Sequence, residues 1–429
     1  MLRYFIWTIG CQMNKAESLW IAGYLDSAGW QVADVVQEAD LVVLNTCVVR
    51  QSAENKVLGM LGLLKGLKKE HPDILILVTG CFVDSDIVGL KRRFPHVDFF
   101  FKPGAFSQLT GWIQQKLDVC STLDAQYLTL EWRTPSPCAF IPIIQGCNKF
   151  CSYCIVPYRR GREISRTVEE VVCEVKGIVG QGVKEVTLLG QTVDSYGGDL
   201  PERRDLADLL TELNGIGELD RIRFLTNHPR DMNQKLIEAI ASLDKVCEHL
   251  DLAVQSGDND ILKAMRRGYT VEQFRKLIYT IRQCVPGISL STDIIVGFPG
   301  ETEEQFEHTF SLLEEMRFNI VHVAAYSPRP GTVAYQKYKD NVPLEVKKER
   351  FDRIEQLQTN VATIINSAYR GETMEVLVEG QKKGKWYGRT RGDKIVFFKS
   401  DDNCLGQLII IRVEKTSPWS LQGSVEYKS

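Results

Sequence analysis

A chain of 429 residues is longer than one ordinary core organises, and two to four domains of roughly 100–200 residues are expected. Apolar residues make up 44% and charged residues 25%, the balance of a globular protein, and a formal charge of −3 excludes a globally basic nucleic-acid binder. No stretch approaches the roughly 20 consecutive apolar residues of a membrane helix, and the opening Met1-Leu2-Arg3-Tyr4-Phe5-Ile6-Trp7 is too short for a signal-peptide core, so a cytoplasmic protein is expected.

Taken in chain order, residues 1–118 alternate short apolar runs (3–8, 41–45, 74–79) with helical patterns (15–28, 52–69, 84–94). That alternation predicts an α/β domain with a doubly wound parallel sheet. A linker is expected over 119–136, ending in the proline-rich Thr134-Pro135-Ser136-Pro137. Within 137–368 the alternation resumes, with strands expected at 140–145, 185–189, 222–225, 250–254, 288–296 and 320–325. Helical patterns at 171–179, 273–282 and 303–316 separate them, which suggests a partial (β/α)6 barrel, and 344–368 reads as a charged amphipathic helix leading out. The remainder, 369–429, reads as a small β-barrel with strands at 372–379, 385–391, 394–398, 406–414 and 424–427.

Twelve cysteines are many for a reducing compartment, where thiols more often bind metal than form disulfides. Cys120, Cys138, Cys173, Cys247, Cys284 and Cys404 are read as plain core or surface thiols. Cys147, Cys151 and Cys154 are different: three thiols within eight residues, on a loop after an expected strand, can wrap one compact metal centre. Zinc would want a fourth ligand, for which Cys138 is nearest in sequence. A cubane cluster would instead keep one iron open.

At these residues the sequence resembles the radical S-adenosylmethionine superfamily, whose Cys-x3-Cys-x2-Cys motif has an aromatic before the last cysteine, here Tyr153. The resemblance implies a [4Fe-4S] cluster whose open iron chelates S-adenosylmethionine and splits its sulfonium to a 5′-deoxyadenosyl radical. It further implies that Gly190, Gln191, Gln255, Ser256, Asp293, Arg162 and Arg166 lie where such enzymes contact S-adenosylmethionine. His228 in Asn227-His228-Pro229 is read as a turn histidine bonded to backbone.

Cys11, Cys47 and Cys81 each follow an expected strand directly, so a parallel sheet brings them to its carboxyl edge, where three thiols can hold a second cluster. Gly10-Cys11-Gln12-Met13-Asn14, Leu44-Asn45-Thr46-Cys47-Val48-Val49-Arg50 and Thr79-Gly80-Cys81 resemble the auxiliary-cluster domain of the methylthiotransferases. Further matches run through the barrel, among them Leu189-Gly190-Gln191, Met265-Arg266-Arg267-Gly268-Tyr269-Thr270 and Tyr326-Ser327-Pro328-Arg329. The pattern departs from the family at Thr192 and Asp194, where asparagine is usual.

Cys11-Gln12-Met13-Asn14 and Gly388-Arg389-Thr390-Arg391 are similar to the branch acting on N6-isopentenyladenosine in tRNA; a sister branch that modifies a ribosomal-protein aspartate has Pro-Lys at Gln12-Met13. The resemblance implies two [4Fe-4S] clusters, S-adenosylmethionine, a tRNA substrate, a sulfur donor, and an electron donor of flavodoxin or ferredoxin type. The alternatives are a methylthiotransferase on threonylcarbamoyl-adenosine or on the ribosomal aspartate, and a non-catalytic iron–sulfur RNA-binding protein. The tail resembles the small RNA-binding (TRAM-like) barrel of this family and holds 11 Lys/Arg against 8 Asp/Glu. Lys382, Lys383, Lys385, Arg389 and Arg391, interleaved with Trp386 and Tyr387, are expected on RNA phosphates and bases.

Overall fold

The computed structural model describes residues 2–49, 51–84, 86–117 and 136–426; the expected linker and Cys120 lie outside them, apart from Ser136. The first domain is a five-stranded, all-parallel sheet of Arg3–Thr8, Gln31–Val32, Leu41–Thr46, Leu75–Gly80 and Phe99–Phe100, in the spatial order second, first, third, fourth, fifth. Every residue of Leu41–Thr46 is buried, because helices cover both faces. Val42 and Leu44 pack with Val57, Leu61 and Leu64 of helix Gln51–Glu70; Leu41 and Val43 pack with Ile21, Tyr24 and Leu25 of helix Gln12–Ser27. The chain reverses its winding between the first and third strands, so ligands are expected at their carboxyl ends.

Six parallel strands follow in chain order around the second domain: Cys138–Pro142, Glu185–Leu189, Arg221–Phe224, His249–Asp251, Ser289–Val296 and Ile320–Ala325. Two three-stranded sheets are joined through single parallel bridges such as Ile222 to Val246 and Asn227 to Leu252. Among the described residues the first and last strands are not paired, so this is the expected partial barrel. The strand expected at 140–145 is two elements. Cys138–Pro142 belongs to the barrel, whereas Ile144–Gln145 turns away to pair antiparallel with Ile164–Ser165 and brackets the cysteine loop.

Helix Leu344–Ser367 leads to a closed five-stranded barrel of Thr373–Lys382, Lys385–Thr390, Ile395–Phe398, Leu408–Thr416 and Leu421–Val425. Its last strand starts three residues before the expected 424, since Leu421 is a buried core residue. The small barrel sits on the amino-terminal ends of the large barrel's strands. There Arg221 donates to the Arg389 carbonyl (2.7 Å) and Arg223 to the carbonyls of Thr390 (2.6 Å) and Arg391 (2.7 Å). Cys138 lies at that same end, beside Glu185 and Glu379, and is not a fourth partner for the Cys147 loop.

Candidate functional site

In the first domain, Cys11, Cys47 and Cys81 follow the carboxyl ends of the first, third and fourth strands. Gly80 takes φ +90° so that the chain can turn at the strand end; a Cβ there would stand 2.2 Å from the Thr46 carbonyl, so only glycine fits. Cys11 and Cys81 lie close enough to Cys47 that their charge would oppose its ionisation, and Cys11 acts on Cys81 in the same way. Burial first, and Cys81 next, push the Cys47 thiol up to about 11; burial also raises Cys81. A buried polar network backs them: Asn14 Nδ2 donates to Asn45 Oδ1 (2.7 Å), Asn45 Nδ2 to the Asn14 carbonyl (2.8 Å), and Cys11 Sγ to Asn14 Oδ1 (3.3 Å).

The second triad sits on the loop between the first barrel strand and the short helix Val156–Arg160. Gly146, at φ +82°, lies so close to the Arg162 carbonyl that a Cβ would meet it at 2.0 Å. Gly146 N donates to Gln191 Oε1 (2.6 Å), Ser152 N to the Met265 carbonyl (2.9 Å), and Ala334 N to the Ser152 carbonyl (2.6 Å), so the loop is pinned from three directions. Sulfur acceptors are satisfied in kind: Lys149 N on Cys147 Sγ (3.4 Å), Thr192 Oγ1 beside the same sulfur (3.5 Å), and Arg267 Nη1 on Cys151 Sγ (3.4 Å). Burial, then Cys151, push the Cys154 thiol up to about 12. Metal binding to these thiols therefore releases protons and is disfavoured by acid.

Among the described residues no three His, Cys, Asp or Glu side chains stand close enough to ligate one ion. Within each triad the thiols are near enough for one charge to act on another, which suits a polynuclear centre in which every thiolate takes its own iron. Soft thiols with N–H···S donors, four of the six cysteines being buried, are a donor set that suits a [4Fe-4S] cluster.

Residues 141–313 match the radical SAM superfamily, 3–102 the uncharacterized protein family UPF0004, and 367–425 the TRAM domain. A tRNA-2-methylthio-N(6)-dimethylallyladenosine synthase of Dehalococcoides mccartyi is 50% identical over 98% of this chain and 98% of its own length. The proteins of that name from Chloroflexus aurantiacus (46%; 98% and 91% covered) and Dictyoglomus thermophilum (44%; 99% and 99%) align equally far. The chain belongs to the tRNA-2-methylthio-N(6)-dimethylallyladenosine synthase family. Among solved structures, the radical S-adenosylmethionine methyltransferase TsrM of Kitasatospora setae superposes with TM-score 0.58 at 14% identity, covering 78% of this chain and 74% of that one, a likeness of fold.

Against this family background the remaining expected residues divide. Gln191 holds the cysteine loop, and Gly190 lets it approach, since a Cβ there would strike Ile144 Cγ2 at 2.4 Å. Tyr153 packs against the cluster of Ile261, Met265, Phe298 and Tyr326, and burial holds its phenol well above the ordinary range. Gln255 is buried at φ +75°, its N–H on the Asp293 carbonyl (2.8 Å). Ser256, expected on S-adenosylmethionine, is instead turned to the helix Glu303–Met316, where its hydroxyl meets Thr309 Oγ1 (3.4 Å) and accepts from Asp258 N (3.2 Å). Arg166 is likewise spoken for, by Glu174 (2.5 Å) and the Pro142 carbonyl (3.0 Å), while Arg162 stacks over the Phe150 ring at 4.5 Å. His228 Nδ1 accepts from Arg230 N (3.2 Å) as expected of a turn histidine; burial, then Arg267 and Lys149, depress it to about 2, so it is neutral.

Of the five basic residues expected on RNA, the structure leaves the lysines outward and takes back the arginines. Lys383 (φ +52°) and Gly384 (φ +72°) form the two-residue turn of a hairpin that exposes Lys382 and Lys383 and half-exposes Lys385. Arg389 pairs with Asp393 (3.0 Å) and Glu379 (3.2 Å), and Arg391 grips Glu248 of the large barrel (2.7 and 2.8 Å). Trp386 points into the small barrel, its indole N–H on the Ser400 carbonyl (3.2 Å), rather than outward to stack a base.

Two arginines that the sequence reading passed over prove central. Arg267 is buried, donates to Cys151, and spends its other nitrogens on the Ala253 carbonyl (2.6 Å) and Tyr269 hydroxyl (3.0 Å). Arg160 forms a buried pair with Glu17 of the first domain (2.6 Å). The signal for both was an arginine a few residues from a motif cysteine or inside a matching block.

Proposed function

We propose that this protein is a radical S-adenosylmethionine enzyme that places a methylthio group on C2 of N6-isopentenyladenosine (the N6-dimethylallyl nucleoside) beside the anticodon of tRNA. The observation that carries this reading is two separate thiol triads flanking one domain interface, in a chain whose relatives bear that activity in their names. The C2 hydrogen of an adenine is not acidic, so a general base does not remove it and cofactor chemistry is needed. Cys147, Cys151 and Cys154 would hold a [4Fe-4S] cluster with one iron lacking a protein ligand, which would supply the electron for reductive cleavage of S-adenosylmethionine. Cys11, Cys47 and Cys81 would hold a second cluster, at which the sulfur would be delivered, its methyl group coming from a further molecule of S-adenosylmethionine.

The chain's own groups do the rest. Gln191, Ser152 and Ala334 fix the loop so that the trio of sulfurs points one way, and Arg267 offsets the negative charge gathered there. The target base is splayed out of an unpaired loop to reach such a site. An electron donor of flavodoxin or ferredoxin type and a separate sulfur donor complete the cycle. The test is anaerobic incubation of reconstituted enzyme, reductant and S-adenosylmethionine with isopentenylated tRNA, followed by mass spectrometry of the nucleosides. Gain of one methylthio group at C2 is expected; a product on threonylcarbamoyl-adenosine or on a ribosomal protein alone would sink the reading.

The small barrel sits at the end of the large barrel opposite its cysteine loop, so its hairpin holds tRNA by phosphates away from the reacting base. Replacing Lys382, Lys383 and Lys385 by alanine is expected to reduce the slope of log K against log salt by about 2–3, one phosphate per lysine. KM for tRNA should rise while turnover at saturating tRNA holds. An unchanged salt slope would remove the hairpin from the RNA contact.

A further inference from the structure

The segment after Cys154 does not stay in the barrel domain. Ile155 joins the apolar core of the first domain, and the short helix that follows carries Arg160 against helix Gln12–Ser27. Arg160 Nη1 and Nη2 donate to Glu17 Oε1 (2.6 Å) and Oε2 (3.3 Å), with 2% and 6% of the two side chains exposed. The same guanidinium stands close enough to Cys81 for its positive charge to favour the thiolate there, against burial. Behind Glu17, Asn45 Nδ2 reaches Glu17 Oε2 (3.5 Å) and Ser18 Oγ (3.1 Å), and Asn45 closes on Asn14 and thence Cys11. The surroundings of the first-domain thiols are thus completed by a cation from the second domain, six residues beyond the last cysteine of that domain's triad.

From this we infer that Arg160 is a positioning residue of the Cys11/Cys47/Cys81 centre, setting its reduction potential and thiolate geometry in opposition to Glu17. The inference rests on the reading that these cysteines hold a cluster. A cluster ligated by three thiolates carries net negative charge, and reduction adds more. A buried cation beside such a centre stabilises the reduced form, whereas a buried carboxylate beside it does the reverse. A pair that merely docked two domains would behave differently, because breaking it from either side would loosen the same contact.

The test uses the full chain carrying Cys147→Ala, Cys151→Ala and Cys154→Ala, so that only the first-domain centre is reconstituted, and follows a redox titration by electron paramagnetic resonance. Arg160→Gln is expected to move the midpoint potential to more negative values and Glu17→Gln to less negative ones, while Arg160→Lys stays nearer the parent. Shifts of the same sign from Arg160→Gln and Glu17→Gln, or none, overturn the inference and leave a docking pair. Should Arg160→Gln not fold, the Glu17→Gln and Arg160→Lys titrations decide the sign alone. If the parent triple variant binds no cluster at all, it is the assignment of Cys11, Cys47 and Cys81 that fails.

Discussion

Cys151→Ala should abolish reductive cleavage of S-adenosylmethionine, whereas Cys47→Ala should keep cleavage and form no methylthio nucleoside. The two thiols are comparably buried, at 7% exposure each, so general damage would not separate them. What separates them is the company they keep. Cys151 is bound by Arg267 within the loop that Gln191 and Met265 pin to the barrel. Cys47 sits at the end of Leu41–Thr46, with Val49 N on its sulfur (3.4 Å), in a sheet that folds around its own two cores. Truncating Cys47 leaves the barrel loop intact. The checks are 5′-deoxyadenosine yield and nucleoside mass analysis on the same samples, with iron content expected to fall by about half in each variant, one of two clusters being lost. Methylthio product from Cys47→Ala would end the auxiliary role given to the first triad.

Those cysteines were legible because a thiol directly after a buried apolar run needs no partner information: the strand's own burial places it at the sheet edge. Leu41–Thr46 and Glu303–Met316 were equally plain, the first as a short apolar run over 41–45, the second through its helical pattern, which the structure starts with a Thr302–Gln305 capping box. Gln31–Val32 and Phe99–Phe100 are too short to show a period, and edge position alone makes them strands. Charges were the blind spot. Arg389 and Arg391 look like Lys382 and Lys383 in sequence, and only folding reveals that Glu248 arrives from 143 residues away. Strand alternation did contain a clue: Trp386, Gly388 and Thr390 share the inward face, which removes Trp386 from any base-stacking role. The partner of Arg160 is just as remote, at |143| residues, so a basic run next to a cysteine loop concealed a buried pair.

Arg223→Met should lower the melting temperature by roughly 10 °C, the largest stability effect expected outside the cysteine sites. Arg223 and Glu185 are 4% and 5% exposed and meet at 2.8 Å, and the guanidinium also serves the carbonyls of Thr390 and Arg391. Removing the cation leaves a buried carboxylate whose Oε2 has no hydrogen-bond partner among the described residues and only Arg221 at 3.9 Å as a remaining charge partner, and it takes one donor each from the carbonyls of Arg391 and Thr390, the latter keeping Asp393 N (3.0 Å). Breaking a buried pair from one side costs about 3–5 kcal/mol. Replacing both partners should cost less, so Arg223→Met with Glu185→Met is expected to recover part of the loss, as a calorimetric double-mutant cycle would measure. Because these contacts run through main-chain carbonyls of the Lys385–Thr390 strand and its end, the same variant should loosen the platform that carries the lysine hairpin. Weaker tRNA binding should therefore accompany the lower melting temperature, with the salt slope unchanged because Lys382, Lys383 and Lys385 remain. A normal melting temperature for Arg223→Met would mean that the small barrel is held by its apolar contacts and that the arginine pair is incidental.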